Sequence, residues 1–135
     1  MEEIYMSTAV FWRQYLVRTN SAGYFLALSG GLDSSTTALF VFGMARLVLV
    51  DLRRVTGEET FFPHTPHDIV SRLFHTCYMG TENSSVETRS RARRLGEKLG
   101  VYHSDISIDE AIHAHELIVE KTLKFKPKYA VQGGS

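Results

Sequence analysis

The residues of this sequence whose types and spacing could do chemistry lie in one short segment. It reads FLALSGGLDSSTTALF (residues 25–40), and in it an apolar run is interrupted by glycine, serine and aspartate. Adjacent glycines allow the backbone to approach a ligand closely and to adopt positive φ values. A helix that begins directly after them directs its free N–H groups and its dipole toward an anion. The interruption is therefore typical of a phosphate-binding turn, with additional hydroxyl donors at Ser29, Ser34 and Ser35.

Asp33 is the informative residue of this SGGLDSS loop (residues 29–35), because a carboxylate beside a phosphate is repulsive. A magnesium ion between the two removes the repulsion, so Asp33 predicts a Mg²⁺ site. Other motifs do not fit: no lysine follows the glycines as in a Walker A loop, and Ala27 replaces the first glycine of a hydrolase nucleophile elbow. The alternative is an ordinary strand-to-helix turn with serine and aspartate caps. The complete motif, directly after an apolar strand, favours a ligand site.

The elements that must position this loop follow from hydrophobic periodicity. Apolar segments predict strands at residues 23–28, 75–80 and 101–107. Helices are predicted at residues 2–19, 34–50, 67–74 and 111–123, with another that ends near Gly100. Residues 51–65 carry charges, glycine and proline and are interpreted as a surface loop. The alternation of helices and strands predicts a parallel sheet with crossover helices, and three strands would make a narrow one.

Two details of the helices can be checked directly. The N-terminal helix is expected to bury an apolar side made of Ile4, Tyr5, Val10, Phe11 and Leu16, and we expect Phe11 and Trp12 to be packing residues. Capping boxes are predicted at two helix starts, formed by Ser84 with Glu87 and by Ser107 with Glu110.

Composition narrows the function classes. The chain has 135 residues, 44% of them hydrophobic, and equal numbers of acidic and basic side chains give a net charge of zero. A nucleic-acid binder would normally carry a basic excess. The apolar run at residues 38–50 is too short to span a bilayer and contains Arg46, so we expect a buried helix and no membrane partner. One cysteine, Cys77, excludes an intramolecular disulfide and favours a reducing, cytoplasmic location.

The LSGGLDSS stretch resembles the pyrophosphate-binding loop of the N-type ATP pyrophosphatases, with the pattern SGGxDS. These enzymes cleave ATP between the α and β phosphates and adenylate a substrate oxygen. A second stretch, TCYMGTENSSVETRSRARRLGEKLGVYHSDISID (residues 76–109), resembles the segment after the loop in eukaryotic-type, glutamine-dependent NAD synthetases. The GGS at residues 133–135 fits that family as well.

The resemblance implies a Rossmann-like three-layer sandwich, of the kind seen in adenine nucleotide alpha hydrolases. It implies an ATP-dependent ligase that adenylates nicotinic acid adenine dinucleotide and lets ammonia displace AMP to give NAD. ATP and Mg²⁺ would be held at the loop, with Asp33 as the metal ligand and the catalytic residue. The nucleotide-binding residues carried over are Ser29, Gly30, Gly31, Leu32, Asp33, Ser34, Ser35, Tyr78 and Met79.

Two departures from the family matter. The nitrilase-like glutaminase domain that supplies ammonia is absent from residues 1–135, and the family's later segments that bind the dinucleotide substrate are absent as well. We expect these residues to be one partial synthetase domain. We therefore expect the isolated chain to be inactive or only to bind ATP, and uncovered apolar faces would favour self-association. Two alternatives stay open: a non-catalytic truncated remnant, or another adenylating enzyme with this loop, such as a tRNA-thiolating enzyme.

Other tempting residues have ordinary explanations. His113 and His115 are two apart on a predicted helix and point to different faces, which disfavours a shared metal. Cys77 is expected to be a buried strand residue. The arginines of the helix that ends near Gly100 are expected to form a solvated face, with a pair between Glu87 and Arg91. One or two of them could face a phosphate, and the sequence does not say which.

Overall fold

The computed structural model describes residues 2–56 and 63–128, and it confirms the α/β fold. The elements of the described residues follow in the order α1 (Glu2–Thr19), β1 (Tyr24–Ala27), α2 (Leu32–Thr56), α3 (Pro66–Leu73), β2 (Phe74–Gly80), α4 (Val86–Leu99), β3 (Tyr102–Ser107) and α5 (Asp109–Leu123). Each strand agrees with its predicted position to within one residue at either end.

The three strands form one parallel sheet in the order β1-β2-β3. Ala27 lies beside Cys77, and Cys77 lies beside Ser104. Because the strands are parallel, their carboxyl ends meet at one edge of the sheet. The SGGLDSS loop, the turn after β2 and the turn after β3 therefore begin at the same edge, where ligands gather in open α/β sheets.

Helix α2 is longer than predicted. It begins at Leu32 rather than Ser34 and continues to Thr56, so residues 51–56 of the predicted loop are helical, and residues 57–62 lie outside the described residues. The expectation that this apolar run is too short to span a bilayer is consequently wrong, since the helix at Leu32–Val55 could cross one by the criteria of length and composition. The same criteria also select core helices, and Val41 and Ala45 are buried in the core here.

Helix α1 has the predicted bounds, but its predicted apolar side is only partly right: Tyr5 and Leu16 are half-buried, and Ile4, Val10 and Phe11 are exposed. Ala9 is fully buried, with Trp12 packed against the core next to it, whereas Ile4 and Phe11 are 65% and 57% exposed. Trp12 meets the ring of Tyr24 edge-on, with 5.5 Å between centroids. Trp12 is thus a packing residue as predicted, and Phe11 is not.

The core lies between one face of the sheet and helices α2, α3 and α4, and α1 packs against α2. On that face Phe74, Thr76 and Tyr78 of β2 are buried. The opposite face is largely open in the described residues: Cys77 is buried there, but Phe25 and Tyr102 are 69% and 63% exposed. No residue of α5 is buried. The described residues therefore form two layers of the predicted three-layer sandwich.

Candidate functional site

The SGGLDSS loop leaves the sheet at the carboxyl end of β1. The Leu28 N–H donates to the Cys77 carbonyl oxygen at 2.8 Å, and the Leu28 side chain is fully buried. Helix α2 begins at Leu32, within the loop. The predicted strand–turn–helix arrangement is confirmed, and the loop is anchored by a strand on one side and a helix on the other.

Gly30 is a position where the fold requires glycine. Its φ is +79°, in the left-handed region that side-chain-bearing residues rarely adopt. A Cβ built there would lie 2.3 Å from the carbonyl oxygen of Thr88 in α4. The loop backbone is therefore pressed against the first turn of α4.

Hydroxyl groups hold the loop in shape. The Ser29 N–H donates to Ser34 Oγ at 3.3 Å, and the Gly31 N–H donates to Ser29 Oγ at 3.2 Å. The Ser35 hydroxyl donates to the Gly31 carbonyl oxygen at 2.6 Å. The first N–H groups of α2 have no acceptor within the helix, as at every helix start. An anion above the loop would meet these N–H groups together with the serine hydroxyls.

Asp33 lies in the first turn of α2 and is exposed. Its carboxylate has no hydrogen bond or ion pair within residues 2–56 and 63–128, although its carbonyl oxygen accepts the Thr37 hydroxyl at 3.0 Å. A carboxylate without a protein partner, next to an anion-binding turn, is the donor that a Mg²⁺ site requires. Leu32 beside it is 82% exposed and its apolar side chain offers no donor, so its backbone N–H is the group that could contact a phosphate.

Tyr78 and Met79, the other predicted nucleotide contacts, lie on opposite faces of the sheet. Tyr78 is 4% exposed, and its hydroxyl is 3.0 Å from Thr88 Oγ1. Met79 is 44% exposed on the open face. Their side chains therefore do not line one common surface. Contact of both residues with a nucleotide stays a prediction.

The sequence did not single out Thr88 and Arg89, which the fold brings to this edge. The Arg89 guanidinium lies over the Tyr78 ring, with 5.5 Å between its carbon Cζ and the ring centroid. Its Nε is 3.4 Å from Asp105 Oδ1. Nothing in the sequence separates Arg89 from the other arginines of α4, since its partners Tyr78 and Asp105 are brought together only by the pairing of β2 with β3.

The turns after β2 and β3 are joined by Asp109. Its Oδ1 accepts the Glu82 N–H at 3.1 Å and its Oδ2 accepts the Ser107 hydroxyl at 2.5 Å. The Ser107 hydroxyl and then the Glu82 N–H hold the pKa of the Asp109 carboxyl below its usual value, because both bonds favour the ionised form. This link fixes the edge of the sheet next to the loop.

Both predicted capping boxes are wrong. The N-cap of α4 is Ser85, whose Oγ accepts the Glu87 N–H, and Ser84 instead accepts the Thr81 N–H at 2.8 Å. The N-cap of α5 is Ile108, which has no side-chain cap. Adjacent serines allow either choice in the sequence, and Asp109 takes the Ser107 hydroxyl that the second box needed.

The remaining candidates have local partners. His113 Nδ1 lies 3.2 Å from Glu116 Oε2, and His115 Nδ1 lies 2.7 Å from the Ala111 carbonyl oxygen. In the part of the chain that the structure describes, no group of three His, Cys, Asp or Glu residues could hold a metal ion. Cys77 is buried as predicted, and Glu87 pairs with Arg91.

Comparison with known proteins identifies a family. Residues 4–128 match the NAD synthase family. The chain is 40% identical to the glutamine-dependent NAD(+) synthetase of Saccharomyces cerevisiae and 38% identical to that of Mus musculus, over 99% of its length in both cases. It spans 20% of the length of each of these relatives.

The similar solved structures are glutamine-dependent NAD(+) synthetases as well. A glutamine-dependent NAD(+) synthetase from Cytophaga hutchinsonii superposes with a TM-score of 0.76 over 90% of this chain and 23% of its own, at 28% identity. The enzyme from Acinetobacter baumannii, solved in complex with ADP, has a TM-score of 0.70 over 98% of this chain and 20% of its own. At 18% identity, that likeness concerns the fold alone.

Proposed function

Because the chain belongs to the NAD synthase family, we propose that its SGGLDSS loop binds the phosphates of ATP in the synthetase reaction of a glutamine-dependent NAD synthetase. The observation that carries the proposal is the loop geometry at the carboxyl end of β1. There, Gly30 at positive φ, three serine hydroxyls and the start of α2 surround one exposed turn. This is the arrangement that anion binding requires.

In the proposed reaction, a carboxylate oxygen of nicotinic acid adenine dinucleotide attacks the α-phosphorus of ATP. The bond from that phosphorus to the bridging oxygen breaks, and pyrophosphate leaves. Ammonia then attacks the acyl carbon and loses a proton, AMP leaves with the electron pair of the C–O bond, and the amide of NAD is formed. The loop would hold the leaving pyrophosphate in place, so its contribution is orientation and charge stabilisation.

Asp33 is the residue that we propose to hold Mg²⁺. Its exposed carboxylate has no partner among the described residues and lies in the same turn as the proposed phosphate donors. A hard oxygen ligand of this kind fits the ion. When bound, Mg²⁺ would neutralise phosphate charge; the backbone and hydroxyl donors of the loop would orient the phosphates.

The other parts of the proposal follow from the family. The substrates would be ATP, nicotinic acid adenine dinucleotide and ammonia, with a glutaminase domain as the ammonia source, in a cytoplasmic enzyme. The comparisons do not favour a tRNA-thiolating enzyme or a non-catalytic remnant.

The test is calorimetric titration of ATP into the chain, with Mg²⁺ and with EDTA, for the wild type and Asp33→Asn. With Mg²⁺, the variant should bind about tenfold more weakly, about 1.4 kcal/mol, because the metal bridge is lost. With EDTA, it should bind as well as the wild type or better, since a charge repelling the phosphates is removed.

The matched control is Glu3→Gln, which also removes an acid from the first turn of a helix but lies in α1. It should leave both affinities unchanged. Equal Mg²⁺ dependence in Asp33→Asn and the wild type would refute the metal role. Absence of ATP binding by a folded wild-type chain would refute the proposal for the loop.

A further inference from the structure

Arg89 differs from the other arginines of α4 in its surroundings. Arg91 and Arg93 pair with glutamates one turn away on the helix surface. Arg89 instead reaches across to the sheet, where its guanidinium covers the Tyr78 ring and pairs with Asp105 of β3. It is the arginine of α4 that ties this helix to both neighbouring strands in the described residues.

The fit of this guanidinium is close. A Cβ built on Gly80 would lie 2.5 Å from Arg89 Nη2 and 2.8 Å from Tyr78 Cε1. The Arg89 Nε is buried without a hydrogen-bond acceptor within the described residues, and Asp105 Oδ1 is its nearest charge at 3.4 Å. Shape and charge, rather than a hydrogen bond, therefore hold the side chain against the end of β2.

This contact lies next to the SGGLDSS loop. Tyr78, beneath the guanidinium, is hydrogen-bonded through its hydroxyl to Thr88, and the Thr88 carbonyl oxygen is the atom against which Gly30 packs. A shift of Tyr78 or of the first turn of α4 would therefore move the carbonyl that confines the loop. The contacts run from Asp105 through Arg89, Tyr78 and Thr88 to Gly30.

We propose that Arg89 and Asp105 are positioning residues that set the conformation of the SGGLDSS loop. The Arg89–Asp105 pair is partly exposed, with side-chain exposures of 42% and 37%, and such pairs add little to global stability. Its effect should consequently appear in the loop, where a small displacement of Thr88 is not absorbed because Gly30 is already in contact.

Four variants of the full chain test this: Arg89→Ala, Arg89→Lys, Asp105→Asn, and Arg93→Ala as the control with a helix-surface ion pair. The first readout is the amide NMR resonances of Gly30 and Gly31 without ligand. The second is the affinity for ATP with Mg²⁺, which rests on the proposed function. Far-UV circular dichroism verifies that each variant is folded.

We expect the Gly30 amide to shift in Arg89→Ala and Asp105→Asn well beyond its shift in Arg93→Ala. Lysine should not restore it, because an ammonium lacks the planar group that lies on the Tyr78 ring. ATP affinity should fall about two- to thirtyfold in the same variants. Gly80→Ala, which displaces the guanidinium without removing its charge, should give the same pattern.

Glycine amides that shift no more than in the control would overturn the proposal, whatever the affinity does. Lost affinity with unshifted amides would mean that Arg89 contacts the phosphates directly, and this too overturns a positioning role. Shifted amides in a chain that binds no ATP would support the positioning role, and the proposed function alone would fail.

Discussion

The contact between Gly30 and Thr88 allows a quantitative test of the loop geometry. In Gly30→Ala the new Cβ would meet a backbone carbonyl oxygen at 2.3 Å, and φ would have to stay at +79° or change. A left-handed conformation costs a residue with a side chain about 1–2 kcal/mol. Overpacking against an atom that cannot rotate away costs about 1–3 kcal/mol. We therefore expect a loss of about 2–5 kcal/mol in the free energy of unfolding.

The neighbouring glycine is the matched control. A Cβ on Gly31 would lie 3.3 Å from Ser29 Oγ, a side-chain atom, and its φ is not positive. Gly31→Ala should therefore cost less than about 1 kcal/mol. Urea unfolding measures both variants, followed by the fluorescence of the single tryptophan, Trp12, which packs against Tyr24. If Gly30→Ala were no less stable than Gly31→Ala, the described path of the loop would be wrong.

Two further predictions concern stability away from the loop. Burial, with a smaller contribution from Arg93, lowers the pKa of His103, whose Nδ1 lies 2.8 Å from Thr76 Oγ1, while Asp105 and Glu97 oppose the shift. The contribution of His103 to the free energy of unfolding should thus be complete above the unfolded pKa of about 6.5 and decrease as the pH falls through the lower folded pKa. His103→Gln should therefore make the urea midpoint depend less on pH between about pH 7 and 5. An unchanged pH dependence in the variant would contradict this. Thr65 forms a capping box with Asp68 at the start of α3, so Thr65→Ala should cost about 1 kcal/mol in urea unfolding. Thr65→Ser should retain most of the stability, and equal losses in both variants would argue against the cap.

The strands and the loop were predictable because their signals are local. The apolar β1 segment, the two glycines and the change to helical periodicity all lie within residues 23–40, and the structure agrees with each. The second predicted motif likewise coincides with β2, α4 and β3. These are the places where short-range pattern and tertiary packing favour the same conformation.

The errors arose where the sequence allows two choices of similar energy. Helix α1 carries apolar residues around most of its circumference, so periodicity did not decide between the side containing Phe11 and the side containing Ala9 and Trp12. The predicted end of α2 is wrong because charged residues such as Arg53 and Arg54 favour a loop by composition, although arginine is a good helix former.

The role of Arg89 could not be predicted from the sequence, for a different reason. Five basic residues lie in α4, at positions 89, 91, 93, 94 and 98, and so they point to several sides of the helix. Only the register of β2 with β3, which places Tyr78 beside Asp105, decides which of them meets the sheet. That register is a property of the assembled fold.

The packing of Gly30 on Thr88 also bears on how the site could arise during folding or be transferred by design. The two residues belong to different crossover units, so the loop cannot reach its final geometry until β2 and α4 have docked beside β1. Such non-local closure is expected late in folding, after the local helices have formed. A designer who grafted SGGLDSS onto a foreign strand–helix pair would transfer the hydroxyl groups without the carbonyl that confines the glycine. To rebuild the anion site, the graft would have to include the helix from the following unit.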